Sequence, residues 1–277
     1  MRRFSSILRK ICRSMEKKSR YIDRERYFNE LAQTSQEFYI DYIKGFKTID
    51  YSSRILEIGC GEGGNLLPFA RLGCHVTGLD LALNKIENAR AFFEKRGAEG
   101  DFRCSHFLTD TPPVEEDRYD VILIHDVIEH IEPEGKQEFF SRAELYLKPD
   151  GIIFFGFPAW QMPFGGHQQI CRSRMCKIPF IHLLPAPLYK AWLKAFKENP
   201  AQIDELLSIK RSKMTPEKFE KLSLGAGYKT KERTFWLTSP HYKAKFGLKP
   251  RRLCRGLCSI PYIRNFFTTS CFYIIAK

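Results

Sequence analysis

No apolar run in this 277-residue chain approaches the ~18–20 residues that cross a bilayer as a helix. The longest, such as "GIIFFGF" (151–157), have only strand length. No C-x-x-C occurs among its nine Cys, and nine is an odd number. A disulfide framework is therefore not expected, and a reducing, cytoplasmic setting is. "HQQICRSRMC" (167–176) holds Cys171 and Cys176 at a spacing that matches no standard zinc pattern, so no zinc is expected there. The Asn/Asp-Pro-Pro-Tyr type of motif that grips an exocyclic base amine is missing. So is a Pro-Cys pair that would mark a C5-pyrimidine nucleophile, and no internal repeat or low-complexity tract is present.

Against these absences stands a surplus of positive charge. The chain carries 45 Lys+Arg and 32 Asp+Glu, a formal +13. That surplus suits nucleic acid, an anionic membrane surface or an acidic substrate, and says nothing about fold. The basic residues are spread over both termini and the insertions without an RNA-binding module, which turns the expectation away from nucleic acid. "MRRFSSILRKICRSMEKKSR" has a single acid, Glu16, and reads either as a membrane-surface helix or as an over-extended start ahead of Met15. A peripheral contact with the inner membrane surface is thus one expectation, helped by "KAKFGLKPRRLCRGLC" (243–258).

Hydrophobic periodicity alternates along the chain. Tyr27, Phe28, Leu31, Phe38, Tyr39, Tyr42 and Ile43 sit at helical spacing. Strands are expected at "RILEIG" (54–59), "HVTGLD" (75–80), "FRCSHFLTD" (102–110), "YDVILIHD" (119–126) and "GIIFFGFP" (151–158). Helices fall between them, and "KPDG" is expected to turn into the fifth strand. Such alternation predicts an α/β fold with a parallel sheet covered on both faces, whose ligands sit at the C-terminal strand ends. Residues 159–213 break the pattern with six Pro and Gly positions before a helical stretch, and we expect an inserted lid there. Thr215, Pro216 and Glu217 then mark a helix start. "KTKERTFWL" (229–237) and "SCFYIIAK" (270–277) are expected strands. The expected organisation is an N-terminal helical segment (1–50), a core (51–158), a lid (159–213) and a completion of the core (214–277) with a second insertion at 239–268.

"ILEIGCGEGGN" (55–65) follows the first strand into a glycine-rich turn. Gly59, Gly61 and Gly64 fit the dinucleotide pattern G-x-G-x-x-G, while Gly59, Gly61 and Gly63 fit a tighter G-x-G-x-G. Asp80, at the next strand end, suits ribose hydroxyls and fits either template. Glu57 separates them: a carboxylate beside the loop repels a pyrophosphate and favours an ammonium or sulfonium.

"ILEIGCGEGGNLLPFARLGCHVTGLDLALNKIENAR", "YDVILIHDVIEHI" and "LKPDGIIFFGFP" together resemble class I S-adenosylmethionine-dependent methyltransferases over residues 54–158, and more loosely over 214–237 and 270–277. The resemblance implies a Rossmann-like, doubly wound sheet of seven strands, mostly parallel, with 270–277 as an antiparallel last strand. It implies S-adenosyl-L-methionine as cofactor and S-adenosyl-L-homocysteine as product. By position, Gly59, Gly61 and Gly63 let the backbone approach the cofactor, and Glu57 orients that loop or its bound water. Asp80 takes the ribose diol, Leu81 packs on adenine, Asp110 or the backbone beside it meets the adenine amino group, and His125 lines the methyl-donor channel.

The expected reaction is methyl transfer to a small-molecule or lipid-linked acceptor, on oxygen. An RNA methyltransferase or a non-catalytic cofactor-binding protein are the alternatives. An oxygen acceptor benefits from a base, and His130 and His167 are the first candidates. "DVIEH" resembles the acid–x–x–Glu–His cluster that binds a divalent metal in small-RNA 2′-O-methyltransferases and some ubiquinone-pathway enzymes, but Asp126 stands where those have Glu. Metal is therefore left as the lesser expectation. Trp160, Met162, Phe164, Phe235, Trp236, Tyr242 and Phe246 are candidate walls of an acceptor pocket or plain packing residues.

Overall fold

The computed structural model describes residues 23–277, so the expectations about the basic N-terminus lie outside the described residues. Helix α1 (Arg24–Thr34) starts at Asp23, whose side chain accepts the Arg26 N–H at 2.9 Å. It buries Phe28 and Leu31, then loosens into one π-helical turn (Ser35–Tyr39) before α2 (Ile40–Lys44).

Eight strands follow: β1 (Arg54–Ile58), β2 (His75–Asp80), β3 (Asp101–Cys104), β4 (Tyr119–His125), β5 (Leu147–Phe157), β6 (Lys229–Thr238), β7 (Arg251–Arg252) and β8 (Ser270–Ala276). They form one sheet in the order β3-β2-β1-β4-β5-β8-β6-β7. β1 pairs with β2 and β2 with β3 in parallel, whereas β8 runs antiparallel to both β5 and β6. The expected doubly wound arrangement with an antiparallel last strand is present. The expected seven strands become eight because Arg251–Arg252 adds a two-residue edge strand within the second insertion. Two further local expectations change. β3 ends at Cys104, and Ser105–Asp110 is a turn held by Thr109 and Asp110 N–H groups on the His106 carbonyl. Lys148–Gly151 is part of β5 and not a separate tight turn.

The chain divides into two compact units, one reaching to Leu123 and including Thr238–Pro250, the other Ile124–Leu237 with Arg251–Lys277. In the first, β1 and β2 are buried runs, and helix α3 (Leu83–Glu94) packs Ile86, Ala89 and Phe93 inward. Phe93 meets Phe102 of β3 edge to face at 4.6 Å. The start of the second insertion, a short helix at His241–Phe246, belongs to this unit and leans on α1: His241 Nδ1 lies 3.2 Å from the Thr34 hydroxyl, and Lys243 pairs with Glu37 at 2.9 Å.

In the second unit, an aromatic layer of Phe140, Phe155, Phe157, Phe219 and Tyr273 joins helices to β5 and β8. Residues 159–213 contain helices at Ala186–Ala195 and Pro200–Ser212. Thr215 caps the next helix (Pro216–Gly225) through the Lys218 N–H, as its sequence suggests.

Candidate functional site

The glycine turn resolves between its two templates. Gly59, Gly61 and Gly63 adopt left-handed φ of 72°, 54° and 79°, a region that favours glycine. Gly64 does not; a Cβ there would lie 2.6 Å from the Phe28 carbonyl oxygen, so it is the point where α1 crosses close to the loop. A Cβ on Gly61 would meet nothing within 4 Å, which leaves open space beside its backbone.

The loop is tied to β2 by its own backbone. Gly59 and Cys60 N–H groups donate to the Leu79 carbonyl at 2.7 and 3.0 Å. The Asp80 carboxylate accepts the Gly61 N–H on Oδ2 and the Ala82 N–H on Oδ1, each at 2.9 Å, with Lys85 Nζ 3.8 Å away. Each Asp80 oxygen thereby keeps a lone pair for a further donor.

Glu57 is buried at the end of β1, and Asn65 Nδ2 donates to its Oε1 at 2.7 Å. Its Oε2 is buried without any hydrogen bond. Burial pushes the Glu57 carboxyl up to about 8; Asn65 opposes the rise and the charge of Asp80 adds to it. A lone buried carboxylate oxygen with a raised pKa is a poor structural element and a good receptor for a cation. Leu81 stands 66% exposed just beyond Asp80, an uncovered apolar face. Asp110 is held by the Ser105 hydroxyl on Oδ1 at 2.7 Å, in the turn after β3. The first unit thus holds Glu57, the three glycines, Asp80, Leu81 and Asp110.

Sequence reading missed two partners here. Asn65, eight residues beyond Glu57, orients it, and the Ser35 hydroxyl of the π turn fixes the Asn65 carbonyl at 2.7 Å. Glu62, buried inside the loop, takes Arg24 of α1 through Nε at 2.6 Å. A buried acid within a glycine turn is a signal for such a partner, but only the fold says which Arg answers it.

The second unit holds the histidines. His125 ends β4, and Gly156 must be glycine because a Cβ would fall 2.4 Å from the His125 ring. Asp126 follows with a left-handed φ of 53°, its N–H on the Gly156 carbonyl at 2.8 Å and its Oδ2 3.5 Å from His125 Nδ1. Glu129 is buried, with His167 Nε2 3.5 Å from its Oε1 and, beyond His167, no hydrogen-bond partner on either oxygen. The rings of His130 and His167 meet edge to face at 4.9 Å.

Burial would raise the Glu129 carboxyl, but His167 and the charge of His130 bring it below the ordinary carboxylate range. Burial likewise opposes a charged His167, yet Glu129 outweighs it and raises that imidazole. Desolvation lowers His130, against the pull of Glu129. Under this cluster lies Lys136, fully buried, whose ammonium donates to the Ile128 carbonyl. Burial brings Lys136 down to about 7, with Lys218 adding to the fall and Glu129 opposing it. In sequence this lysine is only a lone base at a helix start, with nothing to mark it as buried. Glu129, His130 and His167 place ligand atoms within 4.8 Å of one another, near enough to share a cation or to act as a proton-transfer dyad with a neutral neighbour.

The aromatic candidates divide. Trp160, Met162, Phe164, Phe235 and Trp236 are buried, Trp160 against the His182 ring at 4.6 Å and Trp236 against Phe272 at 5.6 Å. All five pack into the interior, whereas Tyr242 and Phe246 remain half-buried and touch each other at 5.2 Å.

Residues 55–151 match a family model described as a methyltransferase domain. A ubiquinone biosynthesis O-methyltransferase of Bradyrhizobium sp. is 36% identical over 100 residues, which are 36% of this chain and 38% of that protein. One from Actinobacillus pleuropneumoniae is 29% identical over 119 residues, 42% of this chain and 50% of that protein. The chain thus spans half or less of the length of these relatives. Among solved structures, an S-adenosylmethionine-dependent methyltransferase from Clostridium acetobutylicum superposes with TM-score 0.56 at 11% identity, over 88% of this chain and 91% of the other. Magnesium protoporphyrin IX methyltransferase from Synechocystis, solved with bound SAH, gives TM-score 0.53 at 12% identity over 99% and 94%.

Proposed function

We propose that this chain, whose residues 55–151 match a methyltransferase domain, is a class I S-adenosylmethionine-dependent enzyme that methylates an oxygen of a small-molecule or lipid-linked acceptor. The observation that carries cofactor binding is the buried, unpaired Oε2 of Glu57 beside three left-handed glycines. It fits an ammonium, whose arrival favours the ionised carboxylate.

When bound, S-adenosylmethionine supplies an activated methyl on a sulfonium. The chain supplies position and a proton acceptor. Glu57, oriented by Asn65, receives the ammonium of the methionine part or a water bridging to it. Asp80 uses its remaining lone pairs on the ribose diol while the Gly61 and Ala82 N–H groups hold it in place. Exposed Leu81 covers one adenine face, and Asp110 or the backbone beside it takes the adenine amino group.

Oxygen as acceptor atom is favoured by the Glu129–His167 pair with His130 beside it. His130, its pKa lowered, is neutral at neutral pH and can take a hydroxyl proton, while Glu129 favours the protonated form of His167. The Glu129 carboxylate, with no partner beyond His167, also suits a divalent cation shared with both histidines, which would acidify the same hydroxyl. The names of the relatives point to hydroxylated, lipid-tailed acceptors. Ile260, Tyr262, Ile263, Phe266 and Phe267 are exposed in the second unit near exposed Arg251, Arg252 and Arg255, a combination suited to an anionic lipid surface. Among the described residues no helix is long and apolar enough to cross a membrane.

The test is calorimetric titration with S-adenosylhomocysteine on the wild type and on Asp80→Ala. Micromolar binding that weakens tenfold or more, about 1.4 kcal/mol, is the expected result; wild-type protein that does not bind refutes the reading. Activity on hydroxylated acceptors before and after EDTA separates the base from the metal, and flotation with anionic liposomes tests the membrane contact.

A further inference from the structure

Outside the proposed site, three ligating side chains converge within residues 171–198. The Cys171 and Cys176 thiols and the Glu198 carboxylate lie within 4.8 Å of one another. All three residues are buried, at 2%, 0% and 5% exposure. They come from different pieces of chain: a 3-10 turn at Gln168–Ile170 precedes Cys171, another at Arg174–Lys177 carries Cys176, and Glu198 joins the helices Ala186–Ala195 and Pro200–Ser212.

A plain core explains part of this. The two thiols pack with Tyr189, Leu193, Ile203 and Leu206 in one apolar cluster. An apolar core has no use for the rest. Glu198 reaches into it with a full carboxylate, accepting the Arg172 and Ser173 N–H groups at 2.9 and 2.8 Å. Tyr189, 0% exposed, keeps a buried hydroxyl with no hydrogen-bond partner. A buried hydroxyl without a partner is unfavourable unless something else occupies it.

We propose that Cys171, Cys176 and Glu198, with the Tyr189 hydroxyl beside them, form a binding site for one borderline-soft divalent cation of the zinc type. Two sulfurs and a carboxylate oxygen are the donor set that selects such ions over magnesium or calcium. Metal–sulfur and metal–oxygen bonds of about 2.3 and 2.1 Å in a tetrahedron leave donor atoms about 3.5 Å apart, inside the observed spread. The charge balance also works. Before binding, two neutral thiols and a carboxylate sum to −1. Binding forms two metal–sulfur bonds, releases two protons to solvent and adds a dication, so the buried site remains at −1. Cysteine thiols carry their protons at neutral pH until a metal displaces them. The bound ion would clip the 171–176 loop to the junction of the two helices. The C-x4-C spacing alone did not suggest it, because the third ligand comes from Glu198, far along the chain.

The full chain, purified under reducing conditions and loaded with Co²⁺, tests this directly. One equivalent should produce a sulfur-to-cobalt charge-transfer band that zinc then bleaches. The apparent affinity should fall about a hundredfold per pH unit on acidification, as release of two protons requires. Cys171→Ser/Cys176→Ser should abolish the band, while Cys254→Ser/Cys258→Ser and His130→Ala/His167→Ala keep it. Glu198→Gln should keep the band with at least tenfold weaker binding, which guards against a double Cys variant that fails to fold. No band in the wild type, a band that survives without Cys171 and Cys176, or unchanged affinity in Glu198→Gln overturns the proposal.

Discussion

Asn65 Nδ2 holds Glu57 Oε1 at 2.7 Å and leaves Glu57 Oε2 buried and unpaired at the mouth of the glycine turn. Half of a carboxylate is anchored and half is free. Burial keeps this acid at about 8, so much of it is protonated at neutral pH when nothing positive is near. An arriving ammonium favours the ionised form and must displace that proton. Affinity for S-adenosylhomocysteine is therefore expected to rise with pH, by up to about tenfold per unit below pH 8. Glu57→Gln should bind weakly and lose most of that slope. Calorimetry at pH 6, 7 and 8 on both proteins measures it, and parallel slopes would remove Glu57 from the ammonium contact.

The glycines separate binding from folding. Gly61→Ala puts a methyl into open space at a left-handed φ of 54°. The expected cost to stability is about 1–2 kcal/mol, with a larger proportional loss of cofactor affinity because the methyl stands where the backbone is approached. Gly64→Ala drives a methyl to 2.6 Å from the Phe28 carbonyl oxygen. It should lower stability by about 1–3 kcal/mol by pushing α1 away, and it should affect binding only through that shift. Denaturant unfolding and S-adenosylhomocysteine titration of both variants decide between these outcomes.

These two glycines also show how much of the molecule was legible. A single residue pattern, G-x-G-x-G after a buried strand, located the turn, and the alternation of periods located the sheet. The place of Asp80 at the end of β2 was readable because strand ends are local, whereas Leu81 was named only through the family resemblance. Asn65 against Glu57 was within reach, since both lie in one short stretch. Arg24 against Glu62, Lys136 under Glu129 and Glu198 against Cys171 were not, because each joins segments that only the tertiary fold brings together. Trp160 and Trp236 stayed open in the sequence between pocket wall and packing, because an aromatic near a strand end has the same pattern whether it lines a pocket or fills one.

Lys136 has a sign that can be checked. Burial depresses its folded pKa to about 7 from an unfolded value near 10.5. Between these values the unfolded chain binds more protons, so this lysine makes stability rise as pH rises from about 7 toward 10. Lys136→Met removes that contribution at the price of an unpaired Ile128 carbonyl. Thermal unfolding at pH 7 and pH 9 should show a smaller alkaline gain in the variant than in the wild type. An equal gain in both would mean that Lys136 is charged in the folded protein.

The Glu129–His167 pair couples two opposite shifts, and their signs define a window. Glu129 is depressed below its ordinary 4.5, so its contribution is present above that value and is lost as pH falls through the folded pKa. His167 is raised above its ordinary 6.5, so its contribution is present below that value and is lost as pH rises through its folded pKa. Both hold together between about pH 4.5 and 6.5. Glu129→Gln should therefore destabilise the protein more at pH 5.5 than at pH 8. The same change should lower the His167 pKa, and it should lower His130 further too, since Glu129 opposes desolvation there. Proton titration of the two imidazoles by NMR in the wild type and the variant measures these shifts one by one. If His167 titrates unchanged without Glu129, the two groups are not coupled, and the charged pair proposed beside the His130 base is absent.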